Sequence, residues 1–117
     1  MPVEKWSENV AVVRLSDHPT LAEDLEALDQ MTANGRKLDA VIDFSGVKFL
    51  NSSNLAKLLK LRRQMAASES RLVLCGTTTQ VWGAFLVTNL DKMFQFSDDV
   101  PTALATLQLK PADPGKR

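Results

Sequence analysis

The stretch Asp43-Phe44-Ser45-Gly46-Val47-Lys48-Phe49-Leu50-Asn51-Ser52-Ser53-Asn54-Leu55 organises the reading of the whole chain. Leading into it, residues 38–44 are almost continuously apolar, broken only by Asp39 and Asp43. A strand buried on both faces has this composition, and such strands belong to sheets covered by helices. Residues 45–50 then form a loop with two apolar anchors. From Ser52 the pattern turns helical. Leu55, Leu58, Leu59 and Met65 fall on one side, with Lys57, Lys60, Arg63 and Gln64 largely on another. Asn-Ser-Ser-Asn therefore sits at a loop-to-helix junction, where backbone N–H groups lack partners and the helix dipole is positive. A serine hydroxyl at that junction caps the helix. A phosphorylated one brings roughly two negative charges to the same donors.

Working outward, residues 3–6 and 10–15 read as two short strands around the polar break Ser7-Glu8-Asn9, a hairpin. Thr20 and Glu23 fit a capping box. Leu21, Leu25 and Leu28 then share one helical stripe, stopped by Asn34-Gly35. Beyond the central helix, Ser68-Glu69-Ser70 is a break and residues 71–75 a short apolar strand closed by Gly76. Thr77-Thr78-Thr79 marks the start of a third helix carrying Val81, Trp82, Phe85 and Leu86, with Asn89 suited to a left-handed end. Residues 93–96 read as a last short strand. Asp98-Asp99 caps a final helix over residues 100–109, with Pro101 where its missing N–H is harmless. Residues 110–117 hold two prolines, a glycine and charges, and read as a loose tail. Strands alternating with helices after an opening hairpin predict an α/β sandwich with a mixed sheet of four to five strands and about four helices. The expected division is a single domain over residues 1–109 and a flexible tail over residues 110–117.

Composition narrows the function. The chain has 117 residues, 14 basic and 14 acidic side chains, and 44% hydrophobic residues. Nucleic-acid coating and anionic-membrane binding need clustered excess Lys and Arg, which a zero balance does not supply. No 18-residue apolar run exists, so no membrane-inserted segment is expected. One cysteine, Cys75, and one histidine, His18, make none of the usual zinc signatures and no internal disulfide. Together with the lack of a signal-peptide pattern, this predicts a cytoplasmic protein. There is no Gly-x-Ser-x-Gly and no Walker-type phosphate loop, so no enzymatic activity and no cofactor are expected.

The 43–55 stretch resembles the STAS domain, the fold of bacterial anti-sigma-factor antagonists. In that family a strand ending Asp-x-Ser-x-Val leads through an apolar loop to Asp-Ser-Ser-Gly-Leu at a helix start. Its first serine is phosphorylated by a partner kinase that is itself the anti-sigma factor. By position, Asn51 stands for the family's aspartate, Ser52 for the phosphoacceptor, Ser53 for the second serine, Asn54 for the glycine and Leu55 for the leucine. The resemblance extends through the 75–81 loop, the 88–94 segment and the closing helix. Asp17-His18 is similar to an Asp-His pair before the family's first helix. The resemblance implies an anti-sigma factor or serine/threonine switch kinase as partner, Ser52 as the phosphorylation site, and Asn51, Ser53, Asn54, Asp17 and Lys57 as partner-binding residues.

Other readings stand beside this one. Ser52 as a plain N-cap contributes about 1 kcal/mol and does nothing else. Because Asn51 and Asn54 differ from the family motif, a non-phosphorylated STAS scaffold subunit of a lipid-transport or stress-signalling complex is the alternative. Asp43, at the end of a strand, invites comparison with a phospho-receiver aspartate, but Asp17 supplies one acid where such a site needs an adjacent pair for Mg²⁺. The bland readings are Asp43 as a solvated strand end, Cys75 as a small buried hydrophobe, His18 as a loop residue, and the Lys57, Lys60, Arg63 pattern as a solvated helix face able to meet an acidic partner.

Overall fold

The computed structural model describes residues 3–7, 9–17, 19–33, 35 and 37–108, with residues 3–7 described by their backbone. His18, Asn34, Leu109 and the 110–117 tail lie outside the described residues, and so does the expected domain boundary at 109.

The elements follow in the order β1 (Val3–Ser7), β2 (Val10–Ser16), α1 (Thr20–Thr32), β3 (Asp39–Gly46), α2 (Ser52–Ala67), β4 (Leu72–Cys75), α3 (Thr79–Val87), a 3-10 turn (Leu90–Lys92), β5 (Gln95–Ser97) and α4 (Val100–Gln108). Among the described residues they build a five-stranded mixed sheet with strand order β1-β2-β3-β4-β5. The opening β1–β2 hairpin is antiparallel, and every later pair is parallel. Because the strand order never reverses, right-handed crossovers place α1, α2 and α3 on one face of the sheet. The chain covers the other face with α4.

The burial of β3 shows why the central apolar run was needed. Residues 40–44 are all buried, and alternate side chains serve opposite faces. Ala40, Ile42 and Phe44 join the larger core with Leu21, Leu25 and Leu28 of α1, Leu58 and Leu61 of α2, and Val81 and Phe85 of α3. Val41 joins a smaller core with Val12, Val73, Cys75, and Val100 and Ala103 of α4. Phe85 pins α3 to the sheet through edge contacts with Phe44 at 6.1 Å, Phe94 at 5.7 Å and Phe96 at 5.2 Å between ring centroids.

Local expectations are corrected on α1 and α2 and met at Asn89 and Asp99. The Thr20–Glu23 capping box does not form. Pro19 is the N-cap of α1, with no side-chain cap, because Thr20 already lies inside the helix. On α2 the buried stripe is Asn54, Leu55, Leu58, Leu61 and Met65, with Leu59 only half-buried. On α3 only Val81 and Phe85 are buried, while Leu86 points outward. Asn89 takes the left-handed conformation, φ 60°, and Asp99 caps α4 by accepting from the Thr102 N–H at 2.9 Å.

Candidate functional site around Ser52

The loop between β3 and α2 has its two apolar anchors in Val47 and Leu50, both buried. The Phe49 between them is 67% exposed. Two neighbouring loops fix its position. From the β2–α1 side, Asp17 Oδ1 accepts the Lys48 backbone N–H at 2.7 Å. From the β4–α3 side, the Thr78 hydroxyl donates to the Val47 carbonyl at 3.3 Å. The same hydroxyl accepts the Val81 N–H at 3.3 Å and so caps α3. One threonine therefore couples the start of α3 to the loop that leads into α2.

At the end of that loop, Asn51 rather than Ser52 is the N-cap of α2. Its Oδ1 accepts the Asn54 N–H at 2.7 Å, and Asn54 Oδ1 accepts the Asn51 N–H at 3.2 Å. This is a capping box built from two asparagines. It places Ser52 and Ser53 in the first helical turn, both exposed, with no capping duty for either hydroxyl. The expectation that Ser52 caps the helix is thus overturned. Asn and Ser are almost equally good N-caps, and the loop geometry selects Asn51.

The same bonds change what the other sequence-derived site residues do. Asn54 is only 1% exposed and is folded back into the cap, so it presents no side chain to a partner. Asp17 spends one carboxylate oxygen on the Lys48 N–H, which makes it a brace of the loop. Lys57 faces α1, its Nζ 3.8 Å from Glu26 Oε1, and Lys60 Nζ lies 3.5 Å from Asp29 Oδ2. These two lysines serve the α1–α2 seam. Gln64 adds hydrogen bonds there, to the Asp29 carbonyl and the Thr32 hydroxyl, both at 2.7 Å.

The structure brings Ser52 together with residues the sequence did not single out. A groove of about 510 Å³ is lined by Phe49, Leu50, Ser52, Leu55, Gln80, Gly83, Ala84, Val87 and Thr88. Its walls are mostly apolar, and Val87 on its rim is 85% exposed. One signal for it was available: residues 79–87 contain no charge at all. A helix without a polar face has an outer surface suited to being covered.

Asp43 belongs elsewhere. It is buried, and strand alternation turns it to the α4 side, opposite Arg14 in the register. Its Oδ1 accepts the Ser45 N–H at 3.0 Å. Its Oδ2 accepts the Ser45 hydroxyl at 3.1 Å and an Arg14 N–H at 3.4 Å. A solvated strand end was expected; the carboxylate is instead built into the end of the sheet. Cys75 is fully buried, and burial, with Asp43 and Asp99 adding to it, pushes its thiol up to about 12. Among the described residues no group of three His, Cys, Asp or Glu is placed to hold a metal ion, and no helix is long and apolar enough to cross a membrane.

With this geometry in place the likeness can be tested against known proteins. The family model described as "Mlab, STAS domain" matches residues 3–96. The chain belongs to the STAS-domain family. Solved STAS structures share its fold at low identity. An anti-sigma factor antagonist from Mycobacterium paratuberculosis is 24% identical with a TM-score of 0.74, covering 92% of this chain and 92% of that one. Phosphorylated SpoIIAA, described as a Bacillus cell fate determinant, is 17% identical with a TM-score of 0.71, covering 91% of this chain and 97% of that one. An anti-sigma-factor antagonist (STAS) domain protein from Planctomyces limnophilus is 16% identical with a TM-score of 0.74, covering 86% and 92%. No curated protein sequence matches the chain. The expected STAS sandwich is therefore the fold of this domain, with the loop and helix start of the STAS motif at the groove.

Proposed function

We propose that this STAS domain is a cytoplasmic regulatory interaction module. It binds an anti-sigma factor or a serine/threonine switch kinase, and it is switched by phosphorylation of Ser52. One observation carries the reading: Ser52 is exposed in the first turn of α2, relieved of capping by Asn51, on the rim of an exposed apolar groove. A phosphate there meets the open N–H groups and positive dipole of the helix start, so the helix tolerates it. The groove does not tolerate it, because docking a partner would strip water from a dianion with no cation supplied in exchange. The same modification is therefore mild for the fold and severe for the complex. Asn51 and Ser53 flank the acceptor as its contact residues, while Asn54 and Asp17 act behind it.

Titration calorimetry of the wild type and Ser52→Asp against the cognate serine switch kinase tests the reading. Binding weakened at least tenfold in Ser52→Asp supports it, and equal binding counts against it.

A specific observation favours a second reading, a STAS scaffold subunit of a lipid-transport or stress-signalling complex that is not phosphorylated. Asn51 and Asn54 lock each other where the antagonist motif has aspartate and glycine, and the matching family model is the one described for Mlab. A pull-down that recovers a transporter ATPase or scaffold proteins and no kinase supports this second reading over the first.

A further inference from the structure

We infer that Thr78 is a positioning residue of the partner face: with Asp17 it clamps the Val47–Lys48 peptide, and so fixes Phe49 and the helix start that carries Ser52. This rests on the β3–α2 loop being the partner face and names what holds that face in shape. The Lys48 N–H and the Val47 carbonyl are the two polar ends of one planar peptide unit. Asp17 Oδ1 accepts from the N–H at 2.7 Å, and the Thr78 hydroxyl donates to the carbonyl at 3.3 Å. The two side chains come from different loops, one after β2 and one after β4, so the peptide is held from both flanks. An ionised carboxylate only accepts, so Asp17 fixes which way the peptide points. Turned over, the peptide would aim its carbonyl at the Asp17 oxygen.

The fixed points on either side give this clamp its weight. Upstream, the Val47 N–H closes a turn onto the Phe44 carbonyl at 2.9 Å, and Gly46 lies so close to β2 that a Cβ would come within 2.9 Å of the Leu15 carbonyl. Downstream, Leu50 is buried and Asn51 caps α2. Between them lie Lys48 and Phe49, both exposed, so their path depends on the clamp. Thr78 has a second duty, because its hydroxyl accepts the Val81 N–H and caps α3. One oxygen thus sets α3 against the loop, and these two carry the groove residues that surround Ser52. The duties differ in chemistry: the cap needs an acceptor and the clamp a donor.

Three variants of the full chain separate them. Thr78→Ser keeps donor and acceptor, Thr78→Asp keeps the acceptor alone, and Thr78→Val keeps neither. Amide exchange by NMR reads the clamp at Lys48 and the cap at Val81. Fluorine NMR of 4-fluorophenylalanine placed at residue 49 reads the loop, and the kinetics of Ser52 phosphorylation by the cognate serine switch kinase read the face. In Thr78→Asp, exchange at Lys48 is expected to rise on the order of fivefold, the scale of one neutral hydrogen bond, with Val81 unchanged. The fluorine signal broadens or splits, and KM rises several-fold at constant kcat. Thr78→Ser behaves as wild type, and Thr78→Val exchanges faster at both amides. Adding Asp17→Ala to Thr78→Asp speeds Lys48 exchange by less than the product of the single effects, because both bonds hold one peptide. Unchanged Lys48 exchange and an unchanged fluorine signal in Thr78→Asp would leave Thr78 a cap alone and overturn the inference. An altered fluorine signal with an unaltered KM would overturn it too, since the clamp would then not position the face. A kinase that leaves wild-type Ser52 unmodified counts against the phosphorylation reading, while exchange and the fluorine signal still decide whether Thr78 positions the loop.

Discussion

Asn51 and Asn54 cap α2 reciprocally, each side-chain oxygen accepting the other residue's backbone N–H, at 2.7 and 3.2 Å. The two positions where this chain departs from the STAS motif are thus one structural unit. The unit is unequal. The Asn54 Nδ2 is buried without a hydrogen-bond partner, which offsets part of what its oxygen contributes. Asn51→Ala is expected to lower stability by about 1 kcal/mol, and Asn54→Ala by about half that or less. Asn51→Asp, which keeps the accepting oxygen and suits the helix dipole, stays near wild type. Urea unfolding of the three variants checks the order.

Asp17 braces the loop before Ser52 through a single bond to the Lys48 N–H. Removing the acceptor frees the segment that carries Phe49. Asp17→Ala is expected to speed trypsin cleavage after Lys48 and to raise exchange of the Lys48 amide on the order of tenfold, the scale of one charge-assisted hydrogen bond. Asp17→Asn keeps an accepting oxygen and restores most of the protection. A direct partner contact without a bracing role would leave cleavage unchanged in both variants.

Asp24 is 6% exposed, and its Oδ2 has no partner. Burial first, and the neighbouring Glu23 second, raise its carboxyl above the ordinary 3.8. The folded state thus holds this proton more tightly than the unfolded chain. The resulting stability is fully present below pH 3.8 and is lost as pH rises through the raised folded value. Asp24→Asn carries no such loss. It is expected to melt higher than wild type at pH 7 and to converge with it near pH 3. Thermal melts across that range supply the check, and a constant offset at all pH values would contradict the account.

Gly76 closes β4 with φ 68°, and a Cβ there would come within 2.4 Å of Asp43 Oδ1. That oxygen is held by the Ser45 N–H. Gly76→Ala therefore meets both a left-handed backbone and a fixed carboxylate, and is expected to cost about 3 kcal/mol. Paired with Asp43→Ala, the second substitution should recover part of that loss, and a double-mutant cycle on unfolding free energies measures the coupling.

The sheet was legible in the sequence because residues 38–44 are apolar on both alternations, a pattern that one-sided strands do not show. The start of α2 was legible to within a residue. The cap itself was not, since Asn51 and Ser52 are comparable caps and only the path of the loop chooses between them. Lys57 and Lys60 keep exposed side chains, and helical periodicity records which side they are on but not that Glu26 and Asp29 of α1 lie beside them. The groove was hidden for a related reason. An uncharged helix such as Thr79–Val87 has no charged side to mark its outward face, so the sequence did not separate the exposed Leu86 and Val87 from the buried Val81 and Phe85. Thr78 was legible as part of the start of α3, but its bond to the Val47 carbonyl was not, because that bond joins two loops distant in sequence.

The central claim is that Ser52, freed by Asn51 from capping, is the switch of this domain. Phosphate mapping by mass spectrometry after incubation with ATP and the cognate serine switch kinase tests it most directly, with Ser52→Ala and Ser53→Ala run in parallel. The account predicts one phosphate, on Ser52, lost in Ser52→Ala and retained in Ser53→Ala. A protein left unmodified by a kinase that binds it, or one modified on Ser53 alone, would contradict it.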